Sequence, residues 1–336
     1  MCEFNYYEYI QNLSENNVII IITGNWDGGS YKWIKDLNII NKENVHLIKK
    51  RQVFVDTVNV SYNSGKNIVV ILQSFLNTNI GTHYLFKLKK KTKFKMILPI
   101  HDWYWINPPY RKDHLENIHS FYLNQKKENI QEITKKIFNE SERVICPTYF
   151  VYDVLKKLFP YLNNIYISNW IDIKKNKKKI QNNYISNNVI NMGVLTNFIE
   201  YKGRESINYL RQNIKSYKGY KIYYSIVDHT INRYEDNYES FLDIIRRNNI
   251  NGLLFLNKWG ETWCYSLTKA LNSELPIFYN NIGSFKERIP KDNEKYMINI
   301  NNETEYNDFD KLKNNFEKFL DYIIKIKSVC NINESF

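Results

Sequence analysis

The stretch Trp259-Gly260-Glu261-Thr262-Trp263-Cys264-Tyr265-Ser266-Leu267-Thr268-Lys269-Ala270-Leu271-Asn272-Ser273-Glu274-Leu275-Pro276-Ile277 decides how the chain is read. An apolar run, Gly252–Leu256, precedes it and a second, Leu275–Tyr279, closes it. Between them a loop presents the Glu261 carboxylate, and the pattern predicts a helix over Thr262–Asn272. Strand, loop, helix, strand is the repeating unit of a parallel sheet. Backbone N–H groups of Thr262, Trp263, Cys264, Tyr265 and Ser266 would point out of the helix start, where an anion is favoured. Glu261 then reads in two ways: as an acceptor beside a bound anion, or as an acidic residue complementing the helix dipole.

The same rhythm extends outward. After the segment comes a long helix, Asp308 to Lys327, with Phe309, Leu312, Phe316, Leu320 and Ile323 on one 3.6-period face. Before it, strands are expected at Val189–Leu195 and Tyr220–Val227, and helices at Arg204–Asn213 and Tyr238–Asn248. Lys174 to Asn188 is polar and basic without apolar period, the composition of a solvated linker. Ahead of it, buried strands are expected at Asn17–Thr23, Asn67–Leu72, Lys95–Ile100 and Arg143–Cys146. Helical stretches are expected after Gly28-Gly29 through Leu37, at Thr82–Leu88 and at Ile118–Asn139. The expected architecture is α/β, with two Rossmann-like doubly wound domains facing a central cleft. One covers residues 1–173, a second 189–307, and a terminal helix at 308–336 packs back on the first. Ligands of open α/β sheets bind beyond the carboxyl ends of the strands.

The segment resembles the donor-site signature of retaining GT-B glycosyltransferases of family 4. Those chains carry a Glu, seven residues, a second Glu, then Ala and Leu-Pro before a strand; Glu261, Ala270 and Leu275-Pro276 match, and Lys269 stands at the second Glu. A lysine ammonium has only donors where that Glu accepts from a ribose. Asn281-Ile282-Gly283-Ser284 resembles the glycine-containing loop that follows. Met192-Gly193-Val194-Leu195 resembles the first donor-domain strand, with Val194 where the family usually has Arg, and Tyr201-Lys202-Gly203 resembles its Lys-Gly pair. In the first half, Gly28-Gly29 resembles the glycine-rich loop, and Ile97-Leu98-Pro99-Ile100-His101-Asp102-Trp103-Tyr104-Trp105 the strand-end His-Asp segment. Ile167-Ser168-Asn169-Trp170-Ile171-Asp172 resembles the interdomain segment, with Trp170 at the family's Gly.

The resemblance implies sugar transfer from a nucleotide-sugar to a glycan, lipid or protein acceptor with retention at the anomeric carbon. It implies Glu261, Lys202 and His101 as catalytic residues. Gly28, Gly29, Lys202, Arg204, Glu261, Thr262, Trp263, Cys264, Tyr265, Ser266 and Lys269 would bind the donor. Trp26, Asp102, Trp103 and Trp105 would meet the acceptor, since aromatic faces pack on sugar rings. Core packing is the plain alternative for the tryptophans, an exposed turn for Lys202, and a satisfied strand-end histidine for His101. The nucleotide-sugar is a co-substrate, and neither metal nor other cofactor is expected, because cations and a helix N-terminus would neutralise a leaving diphosphate. Alternatives are a nucleotide-sugar epimerase or hydrolase of the same fold, a non-catalytic subunit motivated by Val194 and Lys269, and a polyanion binder.

Composition sets the outer limits. The chain has 336 residues, 43% of them hydrophobic, enough for two cores at about 150 residues per domain. Disorder and a disulfide scaffold are excluded: Cys2, Cys146, Cys264 and Cys330 form no CxxC pair, and reduced thiols in a cytoplasm fit them. The start of the chain lacks the basic and apolar regions of a secretory signal. Lys plus Arg is 47 against 35 Asp plus Glu, so anionic partners are favoured. The basic run Lys87–Lys95 reads as solvated surface or as contact with an anionic membrane, placing the protein in the cytoplasm or at its membrane face. No nucleic-acid recognition motif accompanies the charge. Asp308-Phe309-Asp310 spells a metal-binding Asp-x-Asp, but at a helix start it reads as a cap.

Overall fold

Five branched residues in succession, Val18–Ile22, are all buried, as are Ile68–Leu72. An uninterrupted apolar strand needs cover on both faces, which a parallel sheet with helices on each side supplies. In the computed structural model the first compact unit runs α1 (Tyr6–Asn16), β1 (Val18–Ile22), α2 (Gly28–Asp36), β2 (Val45–Ile48), α3 (Arg51–Asn63), β3 (Ile68–Leu72), α4 (Thr82–Thr92), β4 (Lys95–Pro99), a 3-10 turn (Trp103–Trp105), α5 (Glu132–Glu140), β5 (Arg143–Cys146), α6 (Tyr149–Leu158) and β6 (Ile165–Ile167). Its six strands lie in the order β2-β1-β3-β4-β5-β6, all parallel. The structure describes residues 4–24, 28–73, 78–105, 132–170, 188–194, 198, 200–226, 238–258, 260–301 and 305–333. Trp26, Trp259, most of the expected linker and the first part of the helix expected at 118–139 lie outside them.

The second unit runs β7 (Val189–Val194), a 3-10 turn (Glu200–Lys202), α7 (Arg204–Asn213), β8 (Ser216–Tyr217), β9 (Tyr220–Ile226), α8 (Tyr238–Arg247), β10 (Ile250–Phe255), α9 (Tyr265–Ser273), β11 (Ile277–Tyr279), α10 (Phe285–Arg288), β12 (Tyr296–Ile298) and α11 (Phe309–Asn333). The strand order is β12-β11-β10-β7-β9-β8, parallel except for the edge pair β8–β9. Two of the expected elements differ in their start or their packing. Helix α9 begins at Tyr265, three residues late, because Cys264 takes a left-handed backbone (φ 69°) and caps it from outside. The terminal helix belongs to the second unit: Phe316, Phe319, Leu320 and Ile323 are at most 1% exposed and pack with Ile190, Met192 and Phe278. Gly252 on β10 makes the room, since a Cβ there would meet Ile323 Cδ1 at 2.9 Å. Burying each of these large side chains contributes about 2 kcal/mol, and this corrects the expectation that the helix packs on the first domain. Asp308 caps α11, its carboxylate accepting from the Lys311 N–H at 2.8 Å.

Candidate functional site

In the second sheet the chain leaves β7 toward β9 on one side and returns to β10 on the other. Neighbouring strands whose connections diverge leave a crevice at their carboxyl ends, the usual ligand position of an open α/β sheet. The loops after β7 and β10 carry Lys202 and Glu261. Gly203, at φ +87°, brings the first loop onto the second: a Cβ there would stand 2.1 Å from the Leu256 carbonyl oxygen. The Lys258 N–H donates to the Tyr201 carbonyl at 3.0 Å, tying the two loops a second time.

This approach places the Lys202 ammonium in a direct ion pair with Glu261 Oε1, both side chains largely buried at 17% and 15% exposure. Burial alone pushes the Lys202 ammonium down, but Glu261 and, more weakly, Cys264 more than offset it, and the net shift is upward. The Lys202 ammonium is therefore charged at neutral pH. Asn257 Nδ2 donates to the same Glu261 oxygen at 2.8 Å. Behind Asn257 stand two more asparagines, each directly after a strand. Asn280 donates to the Asn257 carbonyl at 3.0 Å, and Asn299 to Asn280 Oδ1 at 2.8 Å. All three are at most 8% exposed. A buried row of amides thus crosses the carboxyl ends of β12, β11 and β10 and terminates on Glu261.

A second set of contacts fixes the loop between Glu261 and α9. Gly283 has φ +56°, and a Cβ on it would stand 2.5 Å from Gly260 Cα. The Ser284 N–H donates to the Glu261 carbonyl at 2.9 Å, and its hydroxyl to the Trp263 carbonyl at 3.2 Å. Arg288 lies over the Trp263 ring, 3.6 Å from its centroid. Its guanidinium also donates to the Trp263 carbonyl, to the Cys264 carbonyl at 3.0 Å and to Thr268 Oγ1 at 2.5 Å. The first N–H bonding within α9 is that of Leu267, to Cys264. Tyr265 and Ser266 open the first turn of α9, the end of a helix that favours negative charge. Burial, and then Glu261, push the Cys264 thiol up to about 11, so it stays protonated and is no nucleophile at neutral pH.

In the first unit, His101 follows β4 and packs among aromatic rings. Its ring is 4.5 Å from Trp33 edge-on and 5.0 Å from Trp170, and Trp33 stacks on Tyr6 at 5.6 Å. Burial lowers the imidazole to about 3, so His101 is neutral across the physiological range. Gly28 and Gly29 form the first turn of α2 rather than a free loop. Asp102 is half-buried beside His101.

The sequence reading and the structure part over several side chains. Trp103 and Trp105, expected at the acceptor, are 0% and 3% exposed, and Trp103 packs edge-on against Phe150. They are core residues, because the short 3-10 turn folds them under the sheet end. Trp33 and Trp170, which lay outside the expected site, are the rings that surround His101. Thr262, Trp263 and Cys264 precede α9 instead of opening it, Thr262 and Trp263 being buried. Arg204, expected at the donor, is 44% exposed and pairs with Glu200 at 2.6 Å on the outer side of α7. Lys269 is 2% exposed within α9. Asn257, Asn280, Asn299 and Arg288 were not anticipated. For Asn257 and Asn280 the signal was present, a polar amide immediately beyond each of two expected strands; Asn299 follows a strand, Tyr296–Ile298, that was not expected. Nothing marked Arg288, which acts on backbone carbonyls twenty-five residues away in the chain.

Among the described residues no group of three or more His, Cys, Asp and Glu is arranged to hold a metal ion, and no helix is long and apolar enough to cross a membrane. No family model and no curated protein matches the chain. Solved structures do. A glycosyltransferase from Rickettsia africae ESF-5 superposes with a TM-score of 0.57 at 14% identity, covering 93% of this chain and 89% of that one. Anabaena Alr3699/HepE in complex with UDP-glucose gives 0.54 at 10% identity, covering 95% and 99%. The lipopolysaccharide outer core galactosyltransferase WaaB gives 0.50 at 12% identity, covering 95% and 99%. Together with two six-stranded, largely parallel α/β sheets, these likenesses establish the fold: the chain is a GT-B protein built of two Rossmann-like domains.

Proposed function

We propose that the protein transfers a sugar from a nucleotide-sugar to an acceptor, with retention at the anomeric carbon. The observation that carries this reading is the Lys202–Glu261 pair at the carboxyl ends of β7 and β10, beside the N-terminus of α9. A diphosphate entering there meets one largely buried ammonium and the N-terminal end of α9. Lys202 exchanges its carboxylate partner for a phosphate oxygen, and Glu261 turns its freed oxygen to sugar hydroxyls. Breaking the bond to the sugar leaves charge on the diphosphate, where these donors are already aimed. His101, neutral, contributes as a hydrogen-bonding group near the acceptor and not as an acid. Two fold relatives, HepE bound to UDP-glucose and the galactosyltransferase WaaB, lend the reading its donor class, and glycan, lipid-linked or protein acceptors all fit it.

The test is thermal stability against uridine and other nucleotide diphosphates and their sugars. A ligand at 100 times its dissociation constant adds about 2.7 kcal/mol to the native state. Lys202→Ala should abolish that gain, and Glu261→Gln should slow turnover more than it weakens nucleotide binding. A second reading, a non-catalytic GT-B subunit, is favoured by one observation: Lys269, at the position of the family's ribose-binding Glu, is buried in α9. Failure of every nucleotide to stabilise the protein would put that reading first.

A further inference from the structure

Six non-glycine residues among those described have left-handed backbones, and five of them stand where such a residue is ordinary. Lys93 and Glu274 cap the ends of α4 and α9, Asn38 and Asn249 follow α2 and α8, and Lys218 turns the β8–β9 hairpin. A left-handed residue is a common way to stop a helix or turn a hairpin. Cys264, at φ 69° and ψ 87°, stands instead immediately before a helix, where the backbone is normally extended. A residue with a Cβ resists that conformation and keeps it only where the surroundings hold it.

The hold on Cys264 comes from α10. Phe285 and Ile289, 1% and 3% exposed, anchor this short helix in the core, Phe285 edge-on to Phe255 at 5.9 Å. Arg288, between them, donates to the Trp263 carbonyl and to the Cys264 carbonyl at 3.0 Å. These carbonyls belong to the two peptide units that flank the Cys264 Cα, so one guanidinium fixes both of its dihedrals. The same group reaches Thr268 Oγ1, on α9, at 2.5 Å and lies 3.6 Å from the centre of the Trp263 ring. At the other end of α10 the Ser284 N–H holds the Glu261 carbonyl at 2.9 Å, so the clamp runs from α9 back to the carboxylate that faces Lys202.

We propose that Arg288 is a positioning residue for the donor: by holding Cys264 left-handed it keeps Glu261 and the first turn of α9 in the arrangement that receives the diphosphate. This rests on the reading of that site as one for a nucleotide-sugar. The test is calorimetric affinity for uridine, guanosine and adenosine diphosphates, pursued with the tightest of the three. A binding-competent state populated only in part weakens the apparent affinity by that fraction. Arg288→Met should therefore weaken it about five- to thirtyfold, the cost of a left-handed non-glycine residue expressed as a ratio. Arg288→Lys should weaken it nearly as much, because one ammonium does not reproduce a fork of donors. Cys264→Gly in either background should recover most of the loss, since glycine takes the left-handed conformation unaided. The lysine variant, which keeps the charge, carries the same comparison if the methionine variant does not fold. An Arg288 that served only as a cation for the phosphates would give the opposite pair of results, affinity retained by lysine and nothing recovered by glycine, and that pair overturns the proposal. Unmodified affinity in Arg288→Met overturns it as well and leaves the donor site standing. An unmodified protein that binds none of the three diphosphates overturns the donor reading itself, and the proposal with it.

Discussion

The two domains remove a polar group from water at equivalent places and by opposite means. Each sheet is doubly wound, and in each a functional candidate stands just beyond a strand end. In the first domain His101 is surrounded by Trp33 and Trp170, and burial keeps it neutral. In the second, Lys202 is as well hidden but stays charged, because Glu261 is its partner, and Asn257 supplies Glu261 with a further donor. Apolar rings stabilise the form without charge; a paired site tolerates burial only while both charges and their donors are present. One site is ready for a neutral hydrogen bond and the other to exchange one anion for another.

The largest effect should come from breaking the pair. Glu261→Leu leaves a buried ammonium without its carboxylate and should cost about 3–5 kcal/mol in chemical denaturation. Lys202→Met on the same background should recover most of that loss, because it removes the stranded charge. The double variant should stay folded yet show no stabilisation by any nucleotide diphosphate. A double variant as unstable as the single one would mean that packing of the loops, not charge, holds the site together, and the contrast between the domains would collapse.

A smaller effect is expected one step behind the pair. Asn257→Ala removes the second donor to Glu261 and opens the row of buried amides, and should cost about 1–3 kcal/mol. Asn257→Asp should be worse, since it sets a second carboxylate against Glu261. Equal stability of the alanine and aspartate variants would mean that the row fills space without orienting the charge.

The fold was legible where the apolar runs are long. Val18–Ile22, Ile68–Leu72 and the strands around Trp259–Ile277 could be placed to within a residue or two, because a parallel strand covered on both faces has no polar break. Short strands escaped. Val45–Ile48, Ile165–Ile167 and Tyr296–Ile298 have only three or four residues each, some half-exposed, and no periodicity can separate them from loop. Helix α3 was missed because its exposed Val53 and Val60 blur the apolar stripe. At the site, Lys202 and Glu261 could be singled out by motif, but not their direct pairing. That contact depends on Gly203 reaching the Leu256 carbonyl, a closeness created by the sheet rather than by chain neighbours. The tryptophans were sorted by nearness in sequence to loops, and packing sorts them differently: the ring 68 residues before His101 and the ring 69 after it are the ones that touch it.

The smallest effect, and the one that isolates the neutral half of the comparison, is the pH dependence from His101. Its folded value, about 3, lies below the 6.5 usual for a histidine, so between those limits the unfolded chain binds more protons than the native one. Stability must then fall as the pH is lowered through that window, with a slope of up to about 1.4 kcal/mol per pH unit from this single group. The contribution is fully present above the unfolded value and is lost toward pH 3. His101→Phe keeps an aromatic ring among Trp33 and Trp170 and removes the proton site. It should flatten the stability profile between pH 6 and 4 relative to the unmodified protein while leaving stability at pH 8 within about 1.5 kcal/mol. An unchanged slope in the phenylalanine variant would mean that His101 takes up its proton in the folded state as readily as in water. The domain would then hold a charge there after all, by a pairing its aromatic walls do not provide.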